Sequence, residues 1–82
     1  MNGIYERLGA LLTERCKVAG EQLAPLATLT ELGLDSLDYI TLAMAMQEEF
    51  GVEIDDQELA PASTVADTVR LLESRLGLIR GD

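Results

Sequence analysis

The chain has 82 residues, with fifteen Asp or Glu against six Lys or Arg, and a formal net charge of −9. One Cys and no His exclude an internal disulfide, a Cys-x-x-Cys redox or zinc site, a Ser-His-Asp triad and any His-ligated metal. The length holds one domain, residues 1–82, near the lower limit for a single core; with 4% aromatics and no Trp, that core must be Leu, Val, Ile, Ala and Met.

Ile4, Leu8, Leu11, Leu12 and Val18 recur at helical spacing and predict a first helix over 4–19, with Gly20 as its stop. Cys16 lies on the flank of that stripe and reads as a packing residue, since no base or second thiol accompanies it. Residues 20–35 form a long first loop, broken by Pro25, with Leu23, Leu26, Leu29 and Leu32 as candidate anchors. Loops of this length in small domains are often functional. A second helix is predicted over 36–50, stopped by Gly51. A short helix over 55–60 follows, ended by Pro61. The last helix, over 64–76, opens with Thr64 and Asp67 at capping-box spacing and presents Val65, Val69, Leu72 and Leu76. Residues 77–82 are a tail. The predicted fold class is all-α: a small four-helix bundle of three main helices and one short one.

The second helix carries more apolar surface than docking requires. At 100° per residue, Tyr39, Leu42, Ala43, Met46 and Phe50 form one stripe, sufficient for a core face. Leu37, Ile40 and Met44 lie opposite, interleaved with Asp38, Thr41 and Glu48. Either the long loop covers this second ridge, or the ridge is a docking face.

Ser36 stands at the start of that helix, and a Ser there is commonly a cap. Asp35 can cap instead, which would turn the Ser36 hydroxyl outward, towards free N–H groups and the positive end of the helix dipole. No His or Lys is near in sequence to activate it, and Gly33-Leu34-Asp35-Ser36-Leu37 is not a Gly-x-Ser-x-Gly elbow. If the hydroxyl reacts, a second enzyme must supply the base and the electrophile.

Charge is uneven along the chain. Residues 18–69 hold eleven acids and no base, whereas the flanking segments hold three bases each. That surface would repel nucleic acid and steer the chain towards partners with basic docking patches. No apolar run reaches the length of a membrane span, and no basic n-region precedes an apolar stretch. The expectation is a cytoplasmic monomer without membrane insertion. Glu48, Glu49, Glu53, Asp55 and Asp56 lack calcium-loop spacing, so no metal site is expected.

Leu32-Gly33-Leu34-Asp35-Ser36-Leu37-Asp38 resembles the prosthetic-group attachment motif of acyl carrier proteins. Glu48-Glu49-Phe50, Val52-Glu53-Ile54 and Ser63-Thr64-Val65 look like that family's later helix boundaries, and the resemblance covers the whole chain. It implies that Ser36 carries 4′-phosphopantetheine as a phosphodiester, with Asp35 and Leu37 beside it. The group would come from coenzyme A through a Mg²⁺-dependent phosphopantetheinyl transferase. It implies a partner face of Leu37, Asp38, Ile40, Thr41, Met44, Gln47 and Glu48 for acyl-loading and condensing enzymes. It also implies an acyl pocket lined by Leu42, Met46, Ile54 and Leu59, for each of which core packing is the simpler reading. The chain itself would be non-catalytic.

The resemblance implies partner enzymes of fatty-acid, polyketide or specialised lipid or secondary-metabolite synthesis; Thr41 and Gln47 stand where members serving fatty acid synthesis often have Glu, which favours a dedicated pathway such as polyketide, hybrid peptide or specialised lipid synthesis. Peptidyl carriers more often show Gly-Gly-His-Ser or Gly-Gly-Asp-Ser; Leu34 and Asp38 favour the acyl side, with aminoacyl cargo as the alternative. The remaining alternative is a helical interaction module in which Ser36 is only a cap.

Overall fold

Leu8, Leu11 and Leu12 fall on one side of a helix and are buried there, so the first apolar stripe packs on two neighbours at once. The computed structural model describes residues 3–60 and 63–77. Its elements are α1 (Ile4–Arg15), α2 (Ser36–Phe50) and α3 (Val65–Arg75), with single 3-10 turns at Gly20–Gln22 and Asp56–Glu58. Among the described residues there is no strand, only an isolated bridge between Thr28 and Thr64. The chain is thus an all-α bundle with α1 against both α2 and α3, and the second 3-10 turn against α2.

Two elements differ from the sequence expectation. α1 ends at Arg15 instead of residue 19, because Lys17 takes a left-handed conformation at φ 60 and Val18 returns its N–H to Leu12 O at 3.1 Å. Val18 is buried by that turn, not by helical periodicity. The short helix over 55–60 is one 3-10 turn, Asp56–Glu58. Val52, Ile54 and Leu59 are all buried, and Leu59 leaves the turn in an extended conformation at φ −99, ψ 112, so no second turn of helix follows. Pro61 and the tail beyond Gly77 lie outside the described residues. α2 stops where Gly51 adopts φ 68 and gives its N–H to Gln47 O at 2.9 Å.

The long loop is part of the core. Leu29, Leu32 and Leu34 are buried, and Leu23 packs beside Gly9, where its Cδ1 would lie 3.3 Å from any added Cβ. Leu26 is 81% exposed and anchors nothing. The loop is tied to the start of α3 by backbone bonds: Leu29 N–H to Ser63 O, Val65 N–H to Ala27 O and Ala66 N–H to Pro25 O, at 2.9, 3.0 and 2.9 Å. The last two satisfy donors that the first turn of α3 leaves unpaired.

Reciprocal side-chain caps open the turns. Thr28 and Glu31, Asp35 and Asp38, and Thr64 and Asp67 each exchange N–H bonds of 2.9–3.1 Å. Asp55 accepts from Gln57 N–H at 3.2 Å, and its own N–H reaches Glu58 Oε2 at 3.1 Å. Glu31, Asp35, Asp38, Asp55, Glu58 and Asp67, six of the eleven acids between 18 and 69, therefore hold backbone N–H groups. The acidity read as steering charge has a structural use for more than half its members. At the other end of α2, Arg7 grips Glu49 through Nη2 at 2.8 Å, bonds Glu49 O at 3.2 Å and lies 4.6 Å over the Phe50 ring.

Leu29→Ala is expected to cost about 2–5 kcal/mol in urea unfolding, a large share of the stability of so small a domain. Leu26→Ala should stay within ~0.5 kcal/mol, because its side chain is already in water. Hydrogen bonding from Arg75, then from Asp55 N–H, lowers the Glu58 carboxyl pKa below its ordinary value. Its contribution to stability is present above the unfolded-state pKa, near 4.5, and is lost as pH falls through the lower folded value. Glu58→Gln should flatten the acid limb of a melting temperature–pH profile below about pH 4.5 and leave its shape above pH 6 unchanged.

Candidate functional site

The start of α2 is assembled from local chemistry. Gly33 adopts φ 88, which ends the Thr28–Gly33 turn and gives Leu34 access to the core. Asp35 then takes an extended conformation as N-cap; its Oδ1 accepts from Asp38 N–H at 3.0 Å, and Asp38 Oδ2 accepts from Asp35 N–H at 3.1 Å. The cap position is thereby filled by an acid. Ser36, the first helical residue, is exposed, and its hydroxyl has no hydrogen-bond partner among the described residues. The N–H groups of Ser36 and Leu37 are likewise without a protein partner. A hydroxyl flanked by two free donors at a helix start suits an oxygen that must carry an anionic phosphodiester.

The apolar ridge stands in solvent. Leu37, Ile40 and Met44 are 71%, 44% and 55% exposed, so the long loop does not cover them. The other residues expected on a partner face divide. Thr41 is half-buried. Asp38 is engaged in the cap, Glu48 faces Arg15 at 3.6 Å, and Gln47 gives its Nε2–H to Ile54 O at 2.6 Å. The face is apolar at its centre, with its acids already partnered inside the chain.

The four pocket residues do not share one cavity. Leu42, Met46, Ile54 and Leu59 are all buried within the single core. An open groove of about 580 Å³ runs alongside, with Ile40, Ala43, Met44 and Gln47 of α2 on one lip. Glu53, Ile54, Asp55, Asp56, Glu58 and Arg75 form the other. Ile54 alone of the four reaches the groove. Ala43 and Arg75 are groove residues that the sequence reading missed. Ala43 is readable on the edge of the α2 stripe by its periodicity, whereas nothing in the sequence places Arg75 beside residues 53–58.

Cys16 is half-buried, with Sγ 3.9 Å from Asp38 O. Burial first, and the Asp38 charge second, push its pKa up to about 11, so it is a thiol at neutral pH. Among the described residues no three acids, Cys or His are gathered as metal ligands, and no helix is long and apolar enough to cross a membrane.

Residues 6–72 match the family described as "Phosphopantetheine attachment site". The chain is 39% identical over 75 residues to an acyl carrier protein of Thermotoga maritima, covering 90% of this chain and 93% of the relative. It is 36% identical over 73 residues to one of Nitratidesulfovibrio vulgaris, covering 88% and 96%. It is 39% identical over 69 residues to a mitochondrial acyl carrier protein of Dictyostelium discoideum, spanning 84% of this chain but only 58% of that longer relative.

Asp35→Ala is expected to cost about 1 kcal/mol by removing the cap. Ser36→Ala should change stability by less than ~0.5 kcal/mol, because its hydroxyl bonds nothing in the fold. Paired urea titrations check both values.

Proposed function

Because this chain belongs to the acyl carrier protein family, whose members carry covalently attached 4′-phosphopantetheine, we propose that Ser36 is the point of attachment and that the protein presents acyl groups to partner enzymes. The observation that carries this reading is the division of labour at the start of α2. Asp35 caps the helix and leaves the Ser36 hydroxyl exposed and unbonded. A Ser kept as a cap would be turned back onto its own helix.

When bound, the group supplies a thiol that holds the acyl cargo as a thioester. The chain's residues do the rest. Ser36 Oγ is the acceptor oxygen. The free N–H groups of Ser36 and Leu37 face the negative charge that attachment brings to the helix start. The chain has no His, and among the described residues no side chain bonds Ser36, so the base would come from a phosphopantetheinyl transferase, which would act with Mg²⁺. The protein is a substrate and carrier, not a catalyst.

Leu37, Ile40 and Met44 form the centre of the partner face, with Thr41 beside them. Asp38, Gln47 and Glu48 are rim groups with an internal partner already. The amide at Gln47 donates to a carbonyl, which a carboxylate could not do. Its presence, with Thr41, leaves a face less acidic than the net charge suggests. That supports partner enzymes matched by apolar contact as well as basic patches, in a dedicated polyketide or specialised lipid pathway. The groove between α2 and residues 53–58 is where an acyl chain would leave solvent, with Ile54 at the entry and Leu42, Met46 and Leu59 beyond it. In this reading the carrier is a cytoplasmic monomer.

Incubation with coenzyme A, Mg²⁺ and a broad-specificity phosphopantetheinyl transferase should add one phosphopantetheine to the wild type, read by intact mass. Ser36→Ala should gain nothing while its thermal melt stays close to that of the wild type. A folded wild type that gains no mass would overturn the assignment.

A further inference from the structure

The two long connections of this fold are held in different ways. The first loop is tied to α3 by main-chain hydrogen bonds at Pro25, Ala27 and Leu29. Among the described residues, the connection from Val52 to Leu59 has no main-chain bond to any helix. Its bonds to the helices are made by two side chains. Gln47 of α2 gives Nε2–H to Ile54 O at 2.6 Å. Arg75 of α3 gives Nη1–H to Glu53 O and to Glu58 Oε2, both at 3.0 Å, and Nη2–H to Glu58 Oε1. Adjacent carbonyls, those of Glu53 and Ile54, are thus held by side chains of different helices.

The position of those carbonyls gives the contacts a consequence. Ile54 is only 2% exposed, belongs to the core and also lines the groove. It stands between open groove and closed core, and the segment that carries it cannot move away from α2 while both side chains hold. The Gln47 contact is one half-buried hydrogen bond, and the Arg75 contact is an exposed bidentate pair with Glu58 plus a bond to Glu53 O; side-chain contacts of this kind can open without unfolding a helix. Main-chain ties like those of the first loop would instead open only with the start of α3.

We propose that Gln47 and Arg75 are the positioning residues of a two-point latch that holds residues 53–58, and Ile54 with them, across the entry from the groove to the core, and so sets the length of acyl chain the protein shelters. The cargo part of this inference rests on the carrier reading above. Arg75 acts at a distance from Ser36 and touches no attached group. Its part is to fix one wall of the groove. Gln47 links that wall to the partner face, so an enzyme that draws the Gln47 amide to itself releases Ile54 O in the same event.

The test uses hydrogen exchange on the full-length protein without the arm, in wild type, Gln47→Glu and Arg75→Gln. Gln47→Glu keeps size and removes the donor. The amides of Asp55, Glu58 and Leu59 should exchange about tenfold faster in each variant, with α1 amides unchanged. Unchanged exchange at 55–59, or an equal acceleration in α1, would overturn the latch. On the loaded protein, hydroxylamine cleavage of a hexadecanoyl thioester relative to an octanoyl one should slow several-fold in both variants. A ratio equal to that of the wild type would overturn the role in cargo length. The exchange readout needs no arm, so failure of the wild type to accept phosphopantetheine would overturn the carrier reading and leave exchange to decide the latch.

Discussion

The reciprocal bond between Asp35 and Asp38 is the interaction on which the site depends. A helix start must satisfy its first N–H groups, and the residue that does so loses its side chain to the task. By assigning that task to Asp35 and taking the return bond from Asp38, the chain leaves Ser36 one step inside the helix with its hydroxyl in water. Packing of the buried stripe fixes the rotation of α2. Leu42, Ala43 and Met46 face the core, and Leu37, Ile40 and Met44 face solvent. The Ser36 hydroxyl and the exposed ridge thus lie on one helix, the first freed by the cap and the second left outside by core packing.

The reciprocal cap is repeated, which changes the meaning of the acidic composition. In a bundle this small, the core cannot compensate for many unsatisfied donors. Thr28, Asp35, Asp55 and Thr64 each open a turn with an acid three residues later. Net charge and local capping are thus the same residues seen at two distances. At long range they give a negative field that favours basic partners. At short range most of the acids are already bonded, and Glu48 and Glu49 are paired with Arg15 and Arg7. Apart from Ser36, what remains exposed and unpaired on α2 is the apolar ridge of Leu37, Ile40 and Met44.

The two connections show a second division. The first loop buries Leu29, Leu32 and Leu34 and shares main-chain bonds with α3, which makes it a structural element despite its lack of period. The segment after Gly51 also buries Val52, Ile54 and Leu59, yet its polar attachments to the helices are side chains from α2 and α3. One connection is thus held by the main chain and the other by side chains.

Periodicity and local chemistry were sufficient, without any structure, for the all-α class, the surplus ridge on α2 and the alternative cap at Asp35, because these depend on residues three or four apart. The role expected of Ser36 comes instead from the resemblance of Asp35-Ser36-Leu37 to a family motif. The end of α1 was not legible, since a non-glycine residue at φ 60 leaves no mark in the residue pattern. The 3-10 turn at Asp56–Glu58 was misread as a helix because its acids suit either. Leu26 reads as an anchor from sequence, and nothing in its own segment distinguishes it from Leu29. The tertiary structure alone decided that the long loop leaves the ridge bare, that Gln47 holds Ile54 O, and that Arg75 reaches back across seventeen residues or more to Glu58 and Glu53. Those pairings are set by how the helices pack, and sequence spacing carries no information about which distant side chains that packing brings within hydrogen-bond reach.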